Sequence, residues 1–175
     1  MTTIVLLAAG LSRRFGPDCK LQSPFRGKPL IRHAADAILG TGFPALAVTA
    51  DPAVERLLPE FRLVRGIGPQ SQSVRAGLAQ VDDDCALIVL ADMPNVDTAL
   101  LHRIAAAPAP AIATHGSRIS PPATIPRSLF ADMARLSGDQ GAGSVLRSQS
   151  DLHRIQVSPK MLRDVDTLLD MDSFQ

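Results

Sequence analysis

Leu7-Ala8-Ala9-Gly10-Leu11-Ser12-Arg13-Arg14-Phe15-Gly16, followed by Lys20 and Leu21, lies directly behind a short apolar run, Thr3–Leu7. The pattern reads as a buried strand that breaks into small residues, then two arginines, then a lysine. Small residues leave the backbone open to close approach by a ligand. Free N–H groups in such a turn attract anions, and the cations behind it suit a polyphosphate. The ligand this implies is a nucleoside triphosphate. From Gly10 to Arg32 six Lys or Arg stand against one Asp, whereas the stretch from Asp164 to Asp172 is acidic. A one-signed loop of this kind reads as an anion site.

The chain as a whole has a formal net charge of only +1, which gives no bulk attraction to nucleic acid or to a membrane surface. Its 175 residues are 46% hydrophobic with neither Trp nor Tyr, so the core must rest on Ala, Val, Leu, Ile and a few Phe. That composition excludes disorder and fits one domain over residues 1–175. No signal peptide is evident, and no apolar run approaches the roughly 20 residues of a membrane span, so a cytoplasmic location is the default expectation. Cys19 and Cys85 form neither a metal-ligand pair nor a disulfide framework.

Apolar runs at Thr3–Leu7, Ala45–Thr49, Phe61–Val64, Ala86–Leu90, Ala111–Thr114 and, more weakly, Leu152–Val157 predict strands covered on both faces. Between them Pro29–Leu39, Pro52–Leu58, Ser71–Val81, Asp97–Ala106, Arg127–Ser137 and Gly143–Gln149 predict helices, with Pro29 and Pro52 in first turns. Pro108, Pro110, Pro121, Pro122 and Pro126 predict turns. The alternation predicts a three-layer α/β/α fold on a mostly parallel sheet, with ligands at the C-terminal ends of the strands.

Two such ends carry chemistry: the Gly10 loop, and Asp92-Met93-Pro94 after the Ala86–Leu90 strand. The loop is not a Walker A motif, because no Gly-Lys-Ser/Thr follows. Gly66-Ile67-Gly68 begins a dinucleotide pattern but continues into Pro69, and reads as a turn into the next helix. An acid at the end of Leu87-Ile88-Val89-Leu90 must be solvated or paired. It reads either as a turn aspartate or as a ligand of a hard divalent cation such as Mg²⁺, which takes carboxylate and phosphate oxygens together.

Leu7-Ala8-Ala9-Gly10-x-Ser12-x-Arg14-x-Gly16, then Lys20-Leu21 and Gly27-Lys28-Pro29-Leu30, resembles the opening of the MobA-like nucleotidyltransferases. Leu90-Ala91-Asp92-Met93-Pro94, Gly138-Asp139-Gln140-Gly141-Ala142 and Asp164-Val165-Asp166-Thr167 resemble three further motifs of that family, in the same order. The resemblance implies a Rossmann-like fold of the nucleotide-diphospho-sugar transferase type. It also implies Mg²⁺-dependent transfer of a nucleoside monophosphate from a triphosphate to a phosphate monoester, with release of pyrophosphate. On that resemblance the Leu7–Gly10 backbone lies against base and phosphates, Ser12 belongs to the nucleotide loop, Arg14 and Lys20 hold the triphosphate, and Asp92 and Asp166 hold the metal. Arg14, Lys20 and Asp92 are thereby the catalytic candidates.

Gln70-Ser71-Gln72-Ser73-Val74-Arg75-Ala76-Gly77-Leu78 resembles the segment that meets the base in cytidylyltransferases of the family, with Ser73 the single best candidate. Short polar side chains there supply hydrogen bonds that discriminate bases; a helix N-cap is the plain alternative for Ser73. The Leu-Ala-Ala-Gly spelling favours CTP over GTP, and Asp92-Met93-Pro94 favours the branch whose acceptor is molybdopterin, with a molybdenum hydroxylase as the implied partner enzyme. Gly143 and Ser120-Pro121-Pro122 depart from that branch on the acceptor side. The alternatives are a guanylyltransferase, a non-catalytic nucleotide-binding accessory protein, and a sugar-phosphate nucleotidyltransferase on the same fold.

Overall fold

The computed structural model describes residues 1–10, 19–167 and 169–170. In chain order the elements are β1 (Thr2–Leu7), β2 (Pro24–Phe25), β3 (Lys28–Pro29), α1 (Leu30–Leu39), β4 (Ala45–Thr49), α2 (Pro52–Glu55), β5 (Arg62–Arg65) and α3 (Gln70–Leu78). There follow β6 (Cys85–Leu90), α4 (Thr98–Ala106), β7 (Ala111–His115), β8 (Arg118–Pro126), α5 (Phe130–Ala134), α6 (Ala142–Leu146) and β9 (His153–Gln156). Short 3-10 turns precede α5 and follow β9.

Seven strands form one sheet in the order β5-β4-β1-β6-β8-β7-β9. The strands β5, β4, β1 and β6 run parallel, β8 runs antiparallel to both of its neighbours, and β9 runs parallel to β7. The expected mostly parallel α/β/α architecture is therefore present. From β1 the chain moves outward through β4 and β5, then returns to place β6 on the other side of β1. The seam between β1 and β6 is thus the switch point at which ligands enter open α/β sheets.

Alternation along β1 divides the core. Ile4 and Leu6 pack with Leu30, Ile31, Ala34, Ala35 and Ile38 of α1 and with Leu100, Leu101 and Ile104 of α4. Val5 and Leu7 pack on the opposite face with Val74 and Leu78 of α3, Met133 of α5 and Leu146 of α6. The α1 positions recur at helical spacing, so one stripe faces the sheet. On the other face Gly77 brings α3 against the strands: a Cβ there would stand 2.5 Å from a Val5 methyl.

One expectation is corrected. Pro121, Pro122 and Pro126 do not mark turns; they belong to β8, a nine-residue strand inside the sheet. Proline lacks the N–H that a ladder needs, so it survives in a strand only where no donor is required. Ala123 pairs with Ile112 and Ser120 with Ala113, which leaves Pro121 and Pro122 in the register shift between them. Pro126 closes the strand opposite Cys85. Other boundaries move by a few residues. Pro29 precedes the first turn of α1 as its cap residue, whereas Pro52 sits inside the first turn of α2 behind an Asp51 cap.

Candidate active site

The C-terminal ends of β1 and β6 open into a cavity of about 770 Å³. Leu7, Ala9 and Gly10 form its floor beside Leu90, Ala91 and Asp92. Gly68, Pro69, Gln70 and Ser73 form one wall, and Lys20, Asp164 and Asp166 another, with Gly138 and Asp139 at the rim. Most of the expected residues therefore meet in one place.

Ala8 is the exception. Its N–H extends the ladder by donating to the Val48 carbonyl at 2.9 Å, and its methyl is buried in the core. The small-residue surface turned to the cavity is Ala9-Gly10; no described atom lies within 4 Å of where a Gly10 Cβ would stand. Ser12 and Arg14, expected beside it, lie outside the described residues.

Lys20 is placed by a turn that also caps a helix. Gln22 donates to the Cys19 carbonyl at 3.0 Å and Ser23 to the Lys20 carbonyl at 3.2 Å. The carbonyls of Ser23 and Leu21 then accept from Leu30 and Ile31 at 3.0 and 3.1 Å, which satisfies two of the unpaired N–H groups of the first turn of α1. From this base Lys20 reaches into the seam and is only 8% exposed. Its Nζ donates to Asp92 Oδ2 at 2.7 Å, to the Val165 carbonyl at 2.9 Å and to Asp166 Oδ1 at 3.2 Å.

The two aspartates lie 74 positions apart in sequence, and a backbone bond draws them together. The Val165 N–H donates to the Asp92 carbonyl at 2.9 Å, so the C-terminal segment docks on the end of β6. Asp170 then fixes the direction of Asp166: its Oδ2 accepts from the Asp166 and Thr167 N–H groups at 3.0 and 2.7 Å and from the Thr167 hydroxyl at 2.8 Å. Three donors on one carboxylate favour its ionised form, and the Asp170 pKa is lowered despite some desolvation.

Electrostatically the pair is strained and balanced. Burial works against the Lys20 ammonium, but the charge and hydrogen bond of Asp92, with Asp166 behind them, outweigh it and raise its pKa. Burial pushes the Asp92 carboxyl upward; Lys20 offsets only part of this, and the neighbouring Asp164 and Asp166 add to it. Arg118 reaches Asp164 at 3.5 Å from β8.

The donor set fits a hard divalent cation only with outside help. Asp92 and Asp166 offer carboxylate oxygens to one point, now held by the Lys20 ammonium. Among the described residues no group of three or more His, Cys, Asp or Glu converges on a metal position. A cation there would take its other ligands from phosphate and water, as Mg²⁺ commonly does.

Sequence reading missed three contributors. Gln70 lines the cavity, with its amide atoms 3.2 Å from where a Gly141 Cβ would stand. Asp164 stands in the sequence as the first residue of the Asp164-Val165-Asp166-Thr167 motif and of an acidic stretch, with no role of its own assigned. Asp170 was legible, because Thr167-x-x-Asp170 has the spacing of a capping box.

Among the described residues no helix is long and apolar enough to cross a membrane. No curated protein matches the chain. Among solved structures it resembles Rv0371c from Mycobacterium tuberculosis H37Rv, at 27% identity over 99% of this chain and 96% of that one, with a TM-score of 0.86. A manganese complex of Rv0371c matches at 26% identity over 98% and 96% of the two chains, with a TM-score of 0.82. A Methanothermobacter nucleotidyl transferase, Mth528, shares the fold at 23% identity, 99% and 95% coverage and a TM-score of 0.86. Molybdopterin-guanine dinucleotide biosynthesis protein A from Archaeoglobus fulgidus shares it at 19% identity, 98% and 95% coverage and a TM-score of 0.74. The family model of the MobA-like NTP transferase domain spans residues 4–154, from the first strand to the last. With that match laid over a cavity built from the ends of β1 and β6, the chain belongs to the MobA-like NTP transferase family and is a nucleotidyltransferase.

Proposed function

We propose that this chain, acting as one catalytic unit over residues 1–175, transfers CMP from CTP to a phosphate monoester of the molybdopterin type and releases pyrophosphate. The observation that carries this reading is the convergence of Lys20, Asp92 and Asp166 at the edge of the cavity that Ala9, Gly10 and Ser73 also line.

In the proposed reaction an acceptor phosphate oxygen attacks the α-phosphorus. A new P–O–P linkage forms, the bond to the β-phosphate breaks, and its electron pair leaves with pyrophosphate. A phosphate monoester is already an anionic nucleophile at neutral pH, so no general base is required. The work left to the protein is positioning and neutralisation of charge. The Ala9-Gly10 backbone admits the nucleotide to the seam, and the Ser73 hydroxyl and Gln70 amide line the wall where a base would be read. Lys20 and Arg14 are assigned to the phosphates. Asp92 and Asp166 are assigned to Mg²⁺, which when bound would supply positive charge to offset that of the phosphates. The manganese complex of Rv0371c, 26% identical to this chain, supports a divalent cation in this fold. A molybdenum hydroxylase, as the enzyme that receives the product, is part of the same proposal.

The test is a thermal-shift screen of the four nucleoside triphosphates with Mg²⁺. A ligand that binds only the folded state stabilises it by about 2.7 kcal/mol at roughly 100 times its dissociation constant. CTP is expected to give the largest shift. A clear preference for GTP would move the chain to the guanylyltransferase reading. Binding of CTP without turnover of any phosphate acceptor would favour the accessory protein.

Asp170 carries a further expected effect. Asp170→Ala frees the Asp166–Thr167 backbone and is expected to weaken divalent-metal affinity by about 10- to 100-fold, the usual consequence of losing a group that orients a ligand. Asp170→Asn keeps an acceptor oxygen and should recover most of the loss, read from the metal concentration at half-maximal rate.

A further inference from the structure

Lys20 occupies the point on which both acidic side chains converge. A lysine ammonium has three protons to donate, and three oxygens receive them here: Asp92 Oδ2, the Val165 carbonyl and Asp166 Oδ1, at 2.7, 2.9 and 3.2 Å. Two of those oxygens are the ones assigned to the metal. The other charged residues described in the cavity lining, Asp139 and Asp164, are acidic as well.

We infer that Lys20 is the resting occupant of the metal seat, and that the divalent cation enters only together with a nucleoside triphosphate, whose phosphates take the lysine over. This inference rests on the assignment of Asp92 and Asp166 to the metal.

The argument is one of charge and reach. An ammonium and a divalent cation crowded onto the same point repel strongly where water screens them poorly. They cannot share the same two carboxylates at that cost, so one must leave. In the nucleotide-free protein the lysine stays with the two carboxylates, which are partly desolvated around it. A triphosphate changes this, because it presents several anionic oxygens within the same cavity. The lysine can follow them without moving the chain. Its backbone is tied into the Cys19–Ser23 turn that caps α1, and its flexible stem alone has to swing. The metal arrives as the counter-ion of the same phosphates and replaces the ammonium between Asp92 and Asp166. Metal and nucleotide thus bind with positive coupling, and each favours the same arrangement.

Lys20 in this account is both a phosphate ligand and a guard on the empty seat. It suppresses loading by metal alone, which would otherwise put a cation in the seam with no substrate to act on.

The experiment measures metal binding, not turnover. Mn²⁺ is titrated into the nucleotide-free protein and followed by its electron paramagnetic resonance signal. Wild type is expected to bind Mn²⁺ at least tenfold more weakly than Lys20→Met, in which the seat is vacated and both carboxylates remain. Equal affinity in the two proteins would overturn the inference. A second measurement needs no variant: the ¹⁵N resonance of the Lys20 ammonium in the wild-type protein. Mg²⁺ alone should leave it in place, and Mg²⁺ with a non-hydrolysable CTP analogue should move it. Displacement by Mg²⁺ alone would overturn the inference. Failure here is separable from failure of the enzyme reading. Turnover of CTP that depends on Asp92, with no gain of Mn²⁺ affinity in Lys20→Met, leaves the activity standing and removes the exchange.

Discussion

Asp92→Asn is expected to cut the rate of pyrophosphate release by about a hundred- to a thousandfold while leaving a folded protein. The size follows from what is removed. One of two carboxylates assigned to the cation is lost, and a single preorganised group aimed at developing charge in a dry site contributes about 3–4 kcal/mol to catalysis. The larger part of the loss should fall on kcat, with a smaller rise in KM through the coupling of metal to nucleotide. The change is also isosteric, and Asn retains an oxygen for the Lys20 Nζ now 2.7 Å from Asp92. A steady-state measurement of pyrophosphate release, with circular dichroism to verify folding, decides the matter. Activity within tenfold of wild type would remove Asp92 from the mechanism.

The second large effect is on stability. Lys20→Met in the absence of nucleotide and metal leaves Asp92 and Asp166 facing one another without their shared cation. Breaking a buried charge pair by deleting one partner costs about 3–5 kcal/mol, and the melting temperature at neutral pH should fall by about 6–20 °C at 2–4 °C per kcal/mol. The pH dependence carries a sign. The Asp92 pKa is already raised in the folded protein by burial and by its acidic neighbours, and loss of Lys20 raises it further. Above the unfolded carboxylate value the folded variant then binds more protons than the unfolded chain, so its stability falls as pH rises through that window. The variant should accordingly regain stability on mild acidification from neutral pH. The Lys20 pKa in the wild type is raised, so the stability that its pairing contributes is fully present below the ordinary lysine value, neutral pH included, and is lost as pH rises from there through the raised value. Thermal melts across pH 5 to 11 read both limbs. A variant as stable as wild type at neutral pH would mean that the two carboxylates do not depend on the lysine.

The parallel half of the sheet was readable because strands covered on both faces are written in continuous apolar letters, as in Thr3–Leu7 and Ala86–Leu90. The strand β8 was hidden by its prolines. Local chemistry says that Pro121-Pro122 breaks a strand, and only the pairing register shows that the two residues fall where the ladder skips. Site legibility divides in the same way. Lys20 and Asp92 announce themselves by their position behind strands, and Ser73 by its place in the segment after Gly68. That Val165 docks on Asp92, and so carries Asp166 to the lysine, is a long-range fact with no local signature. Ala8 carries the same small-residue signal as Ala9 and Gly10, but smallness says only that a backbone can be approached. Its N–H was already spoken for by Val48.

The dependence of the seat on Val165 also sets a timetable for the newborn chain. While the segment around Asp166 is still inside the ribosome, β1 and β6 are already outside, yet Lys20 faces Asp92 alone. Copies at that stage therefore hold Lys20 and Asp92 without the second carboxylate, and the three groups meet only once the segment around Asp166 has been made and Val165 has docked on the end of β6.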